Sequence, residues 1–183
     1  MTTEELSDLI DEMRRARTDT VHVEAKRAER ALPKRLWETL SAFANTHGGG
    51  VLILGLDQAS GFEVVGLADP GKVMQDLGTL CGELEPAIRA EIDVQEVEGR
   101  HIVVAEIPET ELGQKPCYYR GAGLTNGAFI RVADGDRKLT AYEVQMMLAS
   151  RGQPREDEAP VPEATPDDLD RELRNCDRRV ALR

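Results

Sequence analysis

Apolar residues Leu6, Leu9, Ile10 and Met13 recur at helical spacing between Thr3 and about Ala16, which predicts an amphipathic helix. Thr2 or Thr3 is available as its N-cap, with Glu4 and Glu5 suited to the positive end of the helix dipole. From Thr20 to Lys26 the period drops to two. Val21, Val23 and Ala25 fall on one side and His22, Glu24 and Lys26 on the other, as in a half-buried strand. Helical spacing returns in Leu36, Trp37, Leu40, Phe43 and Ala44, with Pro33 at the helix start and Gly48-Gly49-Gly50 as its stop. The run Val51-Leu52-Ile53-Leu54 is apolar throughout and predicts a central strand buried on both faces.

Further on, Gly61 marks a turn into a partner strand at Phe62 to Val65, and Pro70 to about Cys81 is helical. Ala90 to Val97 and His101 to Ile107 flank Glu98-Gly99-Arg100 as a hairpin. A looser hairpin is expected between Tyr118–Arg120 and Ala128–Val132, across the Gly-rich Gly121–Gly127 stretch. Ala141 to Ala149 is a closing helix, with Thr140 as cap and Glu143 at the capping-box position. The fold class that results is α+β, one compact domain with a mixed sheet and flanking helices. The expected boundaries are a helix over 1–17 and a domain over 18–150. A Pro- and acid-rich linker follows over 151–168, and 169–183 is a short charged helix or tail.

Composition changes this picture in three places. An aromatic share of 4% means that aliphatic packing builds the core, and makes Trp37 a core or interface landmark. A formal net charge of -11 and a sequence pI near 4.8 exclude whole-surface attraction to polyanions, so any such binding must be local. Three scattered cysteines, Cys81, Cys117 and Cys176, lack zinc or disulfide spacing and suit a reducing compartment. With no apolar run of membrane-spanning length and no signal peptide, a cytoplasmic location is expected.

The segment Phe43-Ala44-Asn45-Thr46-His47-Gly48-Gly49-Gly50 runs helix to strand and lacks the Gly-Lys-Ser/Thr ending of a Walker loop, so no ATP site is recognised. Together with Val23-Glu24-Ala25-Lys26, the strand ending Gly55-Leu56-Asp57 and the stretch Phe62-Glu63-Val64-Val65-Gly66, it resembles the Schlafen-type Alba-like domain. Lys115-Pro116, Ala128-Phe129-Ile130-Arg131-Val132 and Thr140-Ala141-Tyr142-Glu143 resemble the closing elements of that family, so the resemblance runs from Asp19 to Ser150.

The resemblance implies a nucleic-acid-binding domain of bacterial transcriptional regulators, acting on DNA or RNA. Longer relatives carry an ATPase-like or winged-helix region after this domain, and the resemblance implies the expectation that the present chain is that architecture truncated or reduced. A rival reading comes from animal Schlafen proteins, in which the domain is a metal-dependent endoribonuclease acting on structured RNA. The three family carboxylates fall on Asp19, where the family has Glu, on Glu24 and on Asp57. Such a trio would serve as catalytic residues and as hard-oxygen ligands for Mg or Mn. Two of the three have an equally good role without a metal: Glu24 in a solvated or cross-strand ion pair with Lys26 on the polar face of a strand, and Asp57 as a turn residue. A third reading is a protein-interaction module that retains the fold.

For binding, the local positive charge lies in two sets. Lys26, Arg27, Arg30, Lys34 and Arg35 surround one strand-to-helix connection, while Lys115, Arg120, Arg131, Arg137 and Lys138 lie in the last third of the domain. If the fold brings them together, they form a phosphate-tracking surface. Asn45, Thr46 and His47 either satisfy the end of a helix or, with the glycines, let backbone approach a phosphate. Tyr118 and Tyr119 offer a base-stacking face unless strand alternation turns one inward, and His22 and His101 read as surface positions. A homo-oligomer, formed through Trp37 or the first helix, is a further expectation, and no membrane contact is expected.

Overall fold

The computed structural model describes residues 1–151. Helix α1 (Thr3–Ala16) starts in a full capping box: Thr2 Oγ1 accepts from the Glu5 amide at 3.2 Å, and Glu5 returns a carboxylate to the Thr2 amide at 2.7 Å. Strand β1 (Val23–Lys26) leads through an irregular connection into α2 (Leu36–Asn45), and then into β2 (Gly50–Leu54). Pro33 lies in a turn ahead of α2 rather than in its first turn, since its carbonyl accepts from the Leu36 amide at 3.0 Å. The short pair β3 (Leu56–Asp57) and β4 (Glu63–Val64) precedes α3 (Pro70–Gly82) and β5 (Leu84–Glu85). The long hairpin β6 (Glu91–Val97) and β7 (Arg100–Ile107) follows. Then come β8 (Tyr118–Tyr119), α4 (Gly123–Gly127), the hairpin β9 (Phe129–Val132) and β10 (Gly135–Lys138), and α5 (Ala141–Ser150).

The main sheet has the order β1-β2-β7-β6, with β1 parallel to β2 and the other neighbours antiparallel. A parallel pair needs a crossover, and α2 provides it. The interior position of β2 explains its unbroken apolar run, because alternate side chains feed two different cores. Ile53, with Val23, Ala25, Ile102 and Val104, packs on Leu6, Ile10 and Met13 of α1 and on Leu56, Phe62 and Val64. Leu52 and Leu54, with Val103, Ala105 and Ile107, pack on Leu36, Leu40 and Phe43 of α2 and on Val73, Leu77 and Cys81 of α3. Helix α1 thus lies inside the domain, whereas the sequence pattern suggests a separate leading helix. Its apolar face closes one side of the sheet.

One pairing differs from expectation. Tyr118–Tyr119 pairs with Leu84–Glu85 and meets the Ala128 strand only through a single Tyr118–Ala128 bridge, while β9 takes β10 as its partner. The Gly-rich stretch coils into α4 instead of forming a hairpin loop. A Cβ on Gly127 would lie 2.5 Å from the Tyr119 carbonyl oxygen. The expected linker over 151–168 and tail over 169–183 fall, beyond Arg151, outside the described residues. No helix among the described residues is long and apolar enough to cross a membrane.

Candidate functional site

Glu24 sits in register with Leu52 of β2, and neighbouring strands in register present side chains to the same face. Its carboxylate therefore points toward α2 rather than toward water, and only 4% of the residue is exposed. This corrects the expectation of a solvated strand face. Lys26 pairs with one Glu24 oxygen, and Arg131 Nη1 lies 2.8 Å from the other. The Arg131 side chain is fully buried. It bonds Asp136 Oδ1 at 2.9 Å and the Thr20 carbonyl at 2.9 Å, and its guanidinium stands 5.1 Å from the centre of the Phe43 ring. Asp136 is held in turn by the Thr39 hydroxyl at 2.6 Å. Burial pulls the Arg131 pKa down, but Asp136 and Glu24 outweigh it and the net shift is upward. A buried charge survives only when its partners replace water, and here ion pairs supply most of that replacement, with Arg131 Nε and Glu24 Oε2 left without a hydrogen bond among the described residues.

Asp19 lies at the edge of this cluster, buried, with Oδ1 accepting from the Ala25 amide at 3.0 Å. Burial, and then the negative charge of Glu24, push its carboxyl up to about 6. Asp57 does different work. It caps the 3-10 turn Gln58–Ser60 by accepting from the Ala59 amide at 3.1 Å and the Ser60 hydroxyl at 3.2 Å, and it faces Arg27 at 3.3 Å. Asp19, Glu24 and Asp57 do not form one metal-holding group, and among the described residues no three His, Cys, Asp or Glu side chains do. With Lys26 and Arg131 on its two oxygens, Glu24 already has its counter-charges. As placed, these residues do not fit Mg or Mn.

The Asn45-Thr46-His47-Gly48-Gly49-Gly50 turn serves the fold. Asn45 Nδ2 donates to the Cys117 and Phe129 carbonyls, each at 2.8 Å, and its Oδ1 accepts from the Cys117 amide at 2.7 Å. The Thr46 hydroxyl donates back to Ala42 and accepts from the Arg131 amide at 3.1 Å. His47 is fully exposed and its Nδ1 lies 3.1 Å from Glu109. A Cβ on Gly49 would come within 2.1 Å of the Ile107 oxygen, and one on Gly50 within 2.2 Å of the Phe43 ring. Gly49 and Gly50 serve close packing within the domain. The backbone amide that could meet a phosphate, Gly48 N–H, donates instead to Glu109 at 2.9 Å.

Of the ten basic residues expected on one surface, two are internal. Arg131 belongs to the buried cluster, and Lys115 is buried with its ammonium on the Asn45 carbonyl at 3.0 Å and on Glu109 at 2.6 Å. Lys26, half-buried, serves Glu24. Arg120 caps the end of α3 through the Gly82 and Glu83 carbonyls. Arg27, Arg35 and Arg137 are exposed and paired with Glu29, Glu38 and Glu143. Arg30 and Lys34 are exposed with no carboxylate partner among the described residues, and Lys138 has only the Asn126 amide oxygen at 2.6 Å. The Thr39–Asp136 bond and the contact of Trp37 with Phe129 seat the first turns of α2 beside β10. The exposed members of the two sets therefore lie on neighbouring elements.

Trp37 stacks on Tyr119 with ring centroids 4.9 Å apart and meets Phe129 edge-on at 5.4 Å, while Tyr118 packs against the small Ala128, Leu139 and Val144 core. The aromatic rings that could stack on bases are thus engaged with each other, and the surfaces expected to pair chains, Trp37 and the apolar face of α1, are engaged within the domain. Asp136, Glu109 and Arg100 do not stand out in the sequence. Each sits beside a glycine or proline where turn chemistry alone explains it, and the fold gives each a partner distant in sequence: Thr39 for Asp136, the Gly48 amide for Glu109 and the Val65 carbonyl for Arg100.

The solution NMR structure of the N-terminal domain of a RecG-related protein from Nitrosomonas europaea is similar to this chain, at 37% identity and a TM-score of 0.56. The match covers 73% of this chain and 92% of that one. The crystal structure of the DIP2311 protein from Corynebacterium diphtheriae matches at 19% identity and a TM-score of 0.49, over 74% of this chain and 26% of that one. No curated protein matches. The family model Schlafen, AlbA_2 matches residues 19–140, two thirds of the sequence and the whole frame from Asp19 to Thr140 that holds the charge cluster. This chain belongs to the Schlafen, AlbA_2 family.

Proposed function

We propose that this is a DNA-binding domain of transcriptional-regulator type that grips backbone phosphates through the connection between β1 and α2. The observation that carries the reading is the placement of Arg27, Arg30, Lys34 and Arg35, all exposed on that one connection in a chain with a formal charge of -11. Family membership supports it, as does the likeness to a domain from a protein named as related to the ATP-dependent DNA helicase RecG. Cations left in water keep their attraction for a polyanion, and each phosphate they meet releases condensed counterions. Lys138 on the neighbouring β10 extends the track.

The test is fluorescence anisotropy of labelled duplex DNA, with an RNA hairpin as comparator, across a series of KCl concentrations. The wild-type chain binds DNA with an affinity that falls as salt rises. Replacing both Lys34 and Lys138 with Gln lowers affinity and reduces the salt slope by about one to two, near one per lost contact. No binding to DNA at low salt, or tighter binding to the RNA hairpin, would overturn the reading.

A further inference from the structure

Four open cavities among the described residues differ in the balance of charge that lines them. One is lined by Arg89 with Glu109 and Glu111, a second by Arg89 and His22 with Glu91 and Glu106, and a third by Arg14 with Asp11, Glu96 and Glu98. In each of these the carboxylates outnumber the arginines. The fourth, about 470 Å³, reverses the balance: two arginines, Arg30 and Arg100, face a single carboxylate, Glu29, with the His101 imidazole beside them.

Its construction favours an anion further. The Glu29 carboxylate is taken by Arg27, with Nε at 2.7 Å, so its repulsion is largely spent within its own turn. Arg100 at the tip of the β6–β7 hairpin donates one Nη1 bond to the Val65 carbonyl at 2.9 Å, which holds the side chain over the groove. Neither Arg30 nor Arg100 has a carboxylate partner among the described residues. A guanidinium fixed through one nitrogen, with its remaining N–H groups free, presents the fork geometry that phosphate oxygens accept. The backbone wall from Val65 to Ala68 is held in place by the Leu67 amide on the His101 carbonyl at 2.9 Å and the Ala68 amide on the Glu29 carbonyl at 2.9 Å. Hydrogen bonds thus tie the β1–α2 connection, this wall and the hairpin tip together, and the groove does not depend on loose loops.

We propose that this groove seats a DNA backbone phosphate between Arg30 and Arg100, which rests on the DNA-binding reading and extends its surface to the hairpin tip. Arg100 and His101 belong to neither of the basic sets apparent in the sequence. They reach the connection only because β7 crosses the centre of the sheet and its hairpin ends beside Glu29 and Arg30.

Anisotropy with labelled duplex DNA, using the full chain and its Arg30→Gln, Arg100→Gln and double variants, tests this. Each single change lowers affinity on the order of five- to tenfold at low salt and reduces the salt slope by about one, and Arg100→Lys recovers part of the loss. Arg89→Gln, which removes an equally unpaired arginine from the acidic cavities, leaves affinity near wild type. A double variant that binds DNA with wild-type affinity and slope would overturn the groove while leaving the DNA-binding reading in place. So would an Arg89→Gln loss as large as that of Arg100→Gln. If the wild type binds no DNA, that reading falls, and the groove is then judged by NMR shifts of the Gly66 and Gly99 amides on adding tripolyphosphate. Shifts absent from the double variant keep the anion seat, and no wild-type shifts remove it. Should Arg100→Gln unfold the hairpin, as seen in its melting curve, Arg30→Gln decides alone, because the Arg30 side chain makes no bond within the described fold.

Discussion

Two arginines of the same domain, Arg131 and Arg30, show how differently one residue type can serve. Arg131 is enclosed by β1, α2 and β10, where its charge is cancelled by Glu24 and Asp136 and no solvent reaches it. Arg30 stands in the connection that leaves β1, exposed and unmatched by any carboxylate among the described residues. Removing the first takes away the cation shared by buried Glu24 and half-buried Asp136, while removing the second takes away only a contact still to be made. The buried cluster should therefore be read out in stability and the exposed connection in binding.

The largest effect expected is that of Arg131→Met. It leaves Glu24 and Asp136 without their shared cation and should cost about 3–5 kcal/mol in urea denaturation. Adding Glu24→Gln and Asp136→Asn to that variant should recover part of the loss, because the orphaned charges go with the cation. An Arg131 variant with wild-type stability and weakened DNA binding would erase the difference between the two arginines. Next comes Asn45→Leu, which strips partners from the Cys117 amide and from the Cys117 and Phe129 carbonyls, and should cost about 2–3 kcal/mol in the same assay.

The third prediction concerns pH. The Asp19 carboxyl titrates at about 6 in the folded chain, above its ordinary value, so it destabilises the fold when ionised at neutral pH. As pH falls through about 6 the folded chain takes up a proton that the unfolded chain does not, and stability from this group rises until about pH 4, where both are protonated. A tenfold change in proton affinity corresponds to about 1.4 kcal/mol, so the gain between about pH 7 and about pH 5 is on the order of 1–2 kcal/mol. Denaturation of Asp19→Asn at the two pH values should lack this gain. Glu109 and Glu143, both held below their ordinary values, act in the opposite direction only at lower pH, through the loss of their bonds to Lys115 and Arg137. An equal pH response in Asp19→Asn would show that Asp19 is not coupled to the buried cluster. The smallest stability effect is that of Arg30→Gln or Lys34→Gln, within about 0.5 kcal/mol. A larger loss in either would mean that the exposed connection is structural after all.

Most elements were legible from local patterns. Helix α1 and helix α5 carry their own capping boxes at Thr2–Glu5 and Thr140–Glu143, and the β6–β7 hairpin has its turn at Glu98-Gly99. The hairpin expected over Tyr118–Val132 shows the limit. Alternation identifies a strand but not its partner, and the partners are Leu84–Glu85 for Tyr118–Tyr119 and Gly135–Lys138 for Phe129–Val132. In the site, the local pattern did not reveal which charges are enclosed. Glu24, Lys115 and Arg131 read as surface charges, and each is buried.

What the sequence determined by itself were the features that depend on near neighbours: helix periods and caps, the apolar run of β2, the glycine stop at residues 48–50, and the motif that places the chain in its family. Only the tertiary structure decided which charges are solvated. A side chain keeps its water or loses it according to what other parts of the chain bring against it, and for Arg131 those parts are Thr20, Glu24 and Phe43, far away in sequence. The same long-range placement that buries Arg131 leaves Arg30 and Arg100 facing one groove, where their charge remains free to meet a phosphate.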